Sequence, residues 1–263
     1  MTRRLALLWV VLAAAGGLTA TGRLEAAPAD APRIGTARVA FNDAAVESAQ
    51  YGTGVDLVAS YPVSADELVG DEPVDAVHAE LWATVVATVP DQWRQGIRQF
   101  SVVQEKPAGT VAMVHQSGLD PRRWLLSIDL ADADNPRLVR ETLIHEMAHL
   151  ITLGTDEFTF NHRLTGPCDG VIVEIGCAHA DSVLARWAEA FWVDPQRPTD
   201  YDQAGFVAPY AATGPHEDLA ETFLYWARGD RAGDLSGAGF VLDAKFAFIE
   251  RELGDLTGVV PAA

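Results

Sequence analysis

Residues 138–153, LVRETLIHEMAHLITL, contain two histidines and a glutamate, side chains that could bind a metal ion if they lie on one helix. His145 and His149 are four positions apart, so on an α-helix both imidazoles lie on one face and can bind the same ion. Glu146 lies about 100° further round the helix, within reach of a water on that ion but not of the ion itself. The pattern HExxH therefore predicts a zinc site. The alternative is an amphipathic helix whose histidines are ordinary polar groups.

A catalytic zinc ion usually takes three protein ligands, so the two histidines leave one ligand to be found. The best candidates lie in residues 215–223, PHEDLAETF, where Glu217 and Glu221 share one helical face. Two carboxylates on a buried face are costly unless a positive group meets them, and a zinc ion is such a group. Glu217 also suits a helix N-terminus without any metal. His216 points away from this face and is expected on the rim.

The elements that must position these residues begin with a helix and a small sheet. Residues 73–89 have the pattern of a helix, and Pro90 closes it. Three short apolar runs follow, separated by turn residues, and they predict three strands. These runs are IRQFSVVQ (97–104), TVAMVHQ (110–116) and RWLLSIDL (123–130).

The HExxH segment itself has the start and stop signals of a helix. Asn135 can cap it, Pro136 suits its first position and Gly154 suits its end. Three later segments also have helical patterns: residues 177–192, 215–229 and 239–253. One helix, three strands and then further helices predict the α+β class.

Residues 1–29 have the pattern of a secretory signal peptide. Two arginines precede the apolar run LALLWVVLAAAGGL, which is short for a membrane span, and Ala27 and Ala29 offer a small-residue cleavage site. An uncleaved membrane anchor is the alternative. Residues 30–72 are rich in Ala, Gly, Asp and Pro, with a few strand-like apolar pieces such as VDLVAS (55–60), so we expect an irregular lead-in to a domain over residues 73–263. The predicted location is therefore secreted or extracytoplasmic.

The charge of the chain limits its partners. It has 37 acidic and 19 basic residues, a formal net charge of −18. Nucleic acids and anionic membrane surfaces repel such a chain, which argues against both as partners. No stretch after the signal segment has the length and apolar character of a membrane span, so no membrane contact is expected beyond that segment.

The two cysteines of the chain, Cys168 and Cys177, flank the segment DGVIVEIG. An even number of cysteines in an exported chain predicts a disulfide. The segment between them is expected to form a strand or one arm of a tight hairpin. Two buried free thiols are the alternative.

Two motifs together resemble those of a known family: HEMAH at residues 145–149 and YAATGPHEDLAE at residues 210–221. They are similar to the motifs of glutamate-zincin metallopeptidases, and more narrowly to those of the secreted bacterial zinc-binding metallopeptidases. The catalytic domain of anthrax lethal factor has a similar, more distant layout of a tyrosine and an ExxxE pair. The resemblance covers residues from about 75 to 230. Ala148 is a departure, because relatives often carry glycine there.

The resemblance implies a zincin-like fold, in which a small β-sheet packs on the active-site helix and a mostly helical C-terminal part follows. It implies one zinc ion per chain, held by His145, His149 and Glu217. Glu221 would then hold one of the histidine ligands in its orientation. An alternative alignment exchanges the two glutamates, so that Glu221 binds the metal and Glu217 supports it.

The implied activity is hydrolysis of peptide bonds in a peptide or protein substrate, by a bacterial enzyme outside the cytoplasm. Glu146 would be the general base toward a zinc-activated water. Tyr210 would stabilise the oxyanion or the leaving group. A non-catalytic, zinc-stabilised extracellular binding module is the alternative function. Such a module needs neither Glu146 nor Tyr210, so their presence favours the enzyme.

Overall fold

Strands and helices follow one another largely in the order that the sequence predicts. The structure is a computed structural model, and it describes residues 55–105, 111–117, 120–160, 166–230 and 239–257. The predicted signal segment and the start of the predicted lead-in lie outside these residues. Within them, no helix combines the length and apolar character needed to cross a membrane.

A five-stranded mixed sheet forms one layer of the described structure. Its strands are β1 (Val55–Ser64), β2 (Glu67–Leu68), β3 (Ile97–Glu105), β4 (Ala112–Gln116) and β5 (Trp124–Asp129). Their order in the sheet is β2–β1–β3–β5–β4. β3 and β5 are parallel, whereas the other neighbouring pairs are antiparallel. Every residue of β5 is buried, so both faces of this inner strand are covered.

The long strand β1 lies inside residues 30–72, where we expected an irregular lead-in. It pairs with β3 from Val55 to Pro62, so the described part of that segment belongs to the sheet. A two-residue turn leads into β2, with Ala65 and Asp66 at φ of 51° and 64°, as hairpin turns of the mirror-image type require. The first six residues of β1 are VDLVAS, the strand-like piece of that segment. The domain boundaries as a whole stay a prediction.

The described residues include six α-helices. They are α1 (Ala76–Thr88), α2 (Asp91–Arg94), α3 (Pro136–Thr152), α4 (Val183–Phe191), α5 (Pro215–Ala227) and α6 (Phe240–Thr257). Asn135 begins α3 as predicted, since its side chain accepts a hydrogen bond from the N–H of Leu138 at 3.2 Å. Pro136 takes the first turn, and Gly154 lies just beyond the C-cap residue Leu153. The predicted bounds of the HExxH helix are therefore confirmed.

A second, three-stranded sheet follows α3 along the chain. It consists of β6 (Phe158–Phe160), β7 (Val171–Val173) and β8 (Gly176–Ala178), in the order β6–β8–β7. A disulfide joins Cys168 to Cys177 at the β7–β8 hairpin, as the cysteine count predicts. The helix expected over residues 177–192 starts later, at α4, because Cys177 pairs within the sheet and Ser182 caps the helix.

The helix α3 lies at the centre of the fold, packed against β4, α1 and α5. Met147 and Ala148 on this helix are fully buried. Ala148 is thus a small residue in a closely packed position. A sheet packed on the HExxH helix and a largely helical C-terminal part confirm the expected α+β class.

Candidate metal centre

Three buried side chains from α3 and α5 meet at one point: His145, His149 and Glu217. The Nε2 atoms of the two histidines are 3.1 Å apart. Oε2 of Glu217 lies 3.0 Å from Nε2 of His145 and 3.4 Å from Nε2 of His149. Nitrogen and oxygen ligands of a tetrahedral zinc ion are separated by about 3.3 Å, given bonds of roughly 2.0–2.1 Å. The three atoms therefore fit one face of a zinc tetrahedron.

The charges around this triangle favour a cation. Burial raises the pKa of Glu217, but the neighbouring His149 and His145 outweigh it and hold that pKa well below its ordinary value. Burial lowers the pKa of His145, yet its hydrogen bonds to Glu217 and Glu221 raise it well above the ordinary value. The Glu217 carboxylate thus keeps its negative charge at a buried position. A buried anion of this kind requires a positive partner.

The two glutamates of α5 take different positions relative to His145. Glu217 faces Nε2, inside the triangle, whereas Oε1 of Glu221 lies 2.9 Å from Nδ1 on the opposite side of the ring. A carboxylate on the far nitrogen fixes the tautomer and the orientation of a histidine that binds metal. The geometry therefore favours Glu217 as the ligand and Glu221 as its support over the reverse assignment.

Glu146 lines the same cavity as the triangle, together with residues 112–114 of β4. Its Oε2 accepts a hydrogen bond from the backbone N–H of Val114 at 2.8 Å. Burial raises the pKa of Glu146 above its ordinary value, against the opposing effect of the two histidines. A carboxylate with a raised pKa is better suited to accept a proton and return it near neutral pH.

Tyr210 also lines this cavity. It lies in a short 3₁₀-helix, Pro209–Thr213, directly before α5, and its ring centroid is 5.9 Å from that of His145. Burial, followed by the charge of Glu217, raises the pKa of Tyr210. Its hydroxyl therefore keeps its proton and can donate a hydrogen bond into the cavity.

His216 does not lie on the rim, where the sequence pattern predicted it. It is buried rather than on the rim, with 3% exposure, and its Nε2 lies 3.3 Å from Oε1 of Glu217. Gly214 makes room for it, because a Cβ at that position would lie 2.8 Å from Cε1 of His216. Helical spacing alone could not reveal this contact, since it depends on how the chain enters α5. The pair Gly214–Pro215 before His216 was the sequence feature that marked how the chain enters α5.

His115 follows Val114 on β4 but is not among the residues that line the cavity. Its ring nitrogens are shielded from solvent, and burial lowers its pKa from 6.5 to about 4. Between pH 4 and pH 6.5, His115 therefore binds a proton in the unfolded chain but not in the folded protein. Stability is therefore lost as the pH falls from 6.5 towards 4, and this residue contributes about 2–3 kcal/mol of the loss.

The variant His115→Gln is expected to remove this contribution. Urea unfolding of both proteins at pH 7 and pH 4.5, in the same chelator, measures the free energy of unfolding. Between pH 7 and pH 4.5, the free energy of unfolding should fall by about 2 kcal/mol less in the variant than in the parent. Equal losses in the two proteins would contradict the assignment, because every other titrating group is shared.

Comparison with known proteins finds a distant structural similarity. No family model matches the sequence, and no curated protein matches it. The structure is similar to that of a putative zinc-binding metallo-peptidase from Bacteroides caccae ATCC 43185. The TM-score is 0.40 at 15% sequence identity, over 74% of this chain and 78% of that chain. This level of similarity assigns neither fold nor activity, so a functional proposal depends on the site itself.

Proposed function

We propose that this protein is an exported zinc-dependent peptidase that hydrolyses peptide bonds. The observation that carries the proposal is the buried triangle of two imidazole nitrogens and one carboxylate oxygen, with edges of 3.0–3.4 Å. Glu146 and Tyr210 border the cavity at that triangle. Three protein ligands and an open fourth position are the arrangement of catalytic rather than structural zinc sites.

A bound zinc ion supplies Lewis acidity, which acidifies water and polarises a carbonyl group. Glu146 accepts the proton of the attacking water and later returns it to the leaving amine. The N–H of Val114 holds the Glu146 carboxylate toward the cavity. The Tyr210 hydroxyl donates a hydrogen bond to the carbonyl oxygen as negative charge develops there. Each side chain thus has a role that its burial and its pKa direction support.

The position of β4 favours a peptide as the substrate. β4 is at one end of the described five-stranded sheet, and residues 112–114 of this strand line the cavity. The backbone groups of an edge strand that have no partner in the sheet can pair with an extended peptide; in β4 the N–H of Val114 is already bonded to Glu146. A substrate bound in this way would pass directly beside Glu146.

Export is supported by the disulfide and by the signal pattern. The bond between Cys168 and Cys177 is typical of oxidising compartments. The N-terminal signal pattern remains a prediction from the sequence.

Metal analysis and a cleavage assay test the proposed function. The purified protein is analysed for zinc by mass spectrometry and incubated with a mixed peptide library, with and without a chelator. We expect about one zinc per chain and cleavage that the chelator stops and added zinc restores. Bound zinc without cleavage would favour the non-catalytic binding module. A protein that does not bind zinc would contradict both functions.

A further inference from the structure

A fully buried ion pair lies directly behind the candidate metal centre. Asp218 follows Glu217 on α5 and has no exposed surface. Its Oδ2 accepts the indole N–H groups of Trp187 at 3.1 Å and Trp192 at 3.0 Å. Nζ of Lys245, on α6, donates to the same carboxylate, 2.8 Å from Oδ1 and 2.7 Å from Oδ2. The carboxylate is thus held by three donors on two other parts of the chain.

Lys245 also reaches a third segment. Its Nζ donates to the backbone carbonyl of Gly205 at 2.6 Å and lies 4.2 Å from the ring centroid of Phe206. This segment leads into the 3₁₀-helix that carries Tyr210. One ammonium group therefore connects α6, α5 and the segment before Tyr210.

Stability alone is a poor explanation for such a pair. Burying two charges costs free energy that their attraction recovers only with good geometry, and apolar side chains of similar volume often serve a core equally well. What this pair provides is a fixed relation between the segments that it joins. Two of these three segments carry or lead to a residue of the candidate site: Glu217 is adjacent to Asp218 on α5, and Tyr210 lies shortly after Gly205.

We propose that the Asp218–Lys245 ion pair is a positioning device for the metal centre, which aligns Glu217 with the two histidines and Tyr210 with the cavity. The inference rests on the proposed function. Neither residue touches the substrate; each acts through the segment that it holds. A displacement of about 1 Å in a catalytic group can lower the rate by roughly 10²-fold, so a loosened α5 should weaken both zinc binding and turnover.

The test replaces both charges at once with Asp218→Asn and Lys245→Met. The double variant avoids an unpaired buried charge, and the amide oxygen of asparagine can still accept the indole N–H groups. The matched control is Asp66→Asn with Arg94→Met. Arg94 is buried and pairs with Asp66 at 2.8 Å, and its hydrogen-bonding partners are all outside the candidate site.

Zinc affinity by chelator competition, kcat and KM are measured for both double variants, together with thermal unfolding of the metal-free proteins. The Asp218/Lys245 variant should bind zinc about 10–100-fold more weakly and lose about 10²-fold in kcat with little change in KM. The control should stay within about twofold of the parent in zinc affinity and kcat. Its substitutions lie away from the candidate site, so they should lower only the unfolding temperature.

Parental zinc affinity and kcat in a folded Asp218/Lys245 variant would overturn the proposal, as would equal losses in the control. If that variant does not fold, Lys245→Gln replaces it, since this change removes the ammonium group of the pair and leaves Asp218 with its two indole N–H donors. It should lower zinc affinity about fivefold, and an unchanged affinity would again overturn the proposal. Failure of the proposed function appears separately, as a parent protein that does not cleave peptides.

Discussion

Replacing Glu146 by glutamine is expected to lower kcat by about 10²–10⁴-fold and to leave zinc binding unchanged. Glutamine has nearly the size of glutamate, and its amide oxygen can still accept the N–H of Val114, which lies 2.8 Å from Oε2 in the parent. An amide cannot accept the proton of the attacking water near neutral pH. The loss should therefore appear in turnover, with the metal retained.

The measurement combines kcat on a cleaved peptide with zinc content by mass spectrometry. Glu141→Gln is the matched control: it is the same chemical change on the same helix, at a side chain that pairs with Arg137 on the surface. The control should cleave at the parental rate. Parental cleavage by the Glu146 variant would contradict the role of Glu146, and loss of zinc from it would show that Glu146 supports the metal instead.

The second large effect is a difference between the two glutamates of α5. Glu217→Gln is expected to weaken zinc binding by about 10³-fold or more, because it removes the only anionic ligand of the triangle. Glu221→Gln should weaken it by only about 10–100-fold, since its carboxylate orients His145 from the far nitrogen. The two variants make the same chemical change one helical turn apart.

Competition with a coloured chelator measures both affinities on the same scale. The ratio of the two losses decides between the assignments that the sequence left open. A larger loss in Glu221→Gln would make Glu221 the ligand and Glu217 its support. Equal and small losses would mean that α5 does not contribute a ligand, and the proposed centre would then have to be abandoned.

Local sequence signals predicted the two helices that carry the site. Asn135 and Pro136 mark the start of α3, and Pro215 marks that of α5. Periodicity then placed His145 and His149 on one face. These features depend on residues within a few positions of one another, which is why the sequence alone could reveal them.

Contacts between distant residues were not predictable in the same way. Asp218 and Lys245 are 27 positions apart, and a charged residue beside a ligand is normally assigned to the surface. The burial of His216 depends on the entry of the chain into α5, and the pairing of β1 with β3 joins residues such as Ser60 and Ser101, which are 41 positions apart. Such residues are identified only once their tertiary partners are known.

The bond between Cys168 and Cys177 has a consequence for how damage to this protein would be observed. The two residues are nine positions apart, and under the proposed peptidase function each molecule in concentrated solution is exposed to the activity of the others. A backbone break anywhere within that short loop leaves the two fragments covalently joined. Autolysis there would escape notice on a non-reducing gel and would appear only after a reductant separates the pieces.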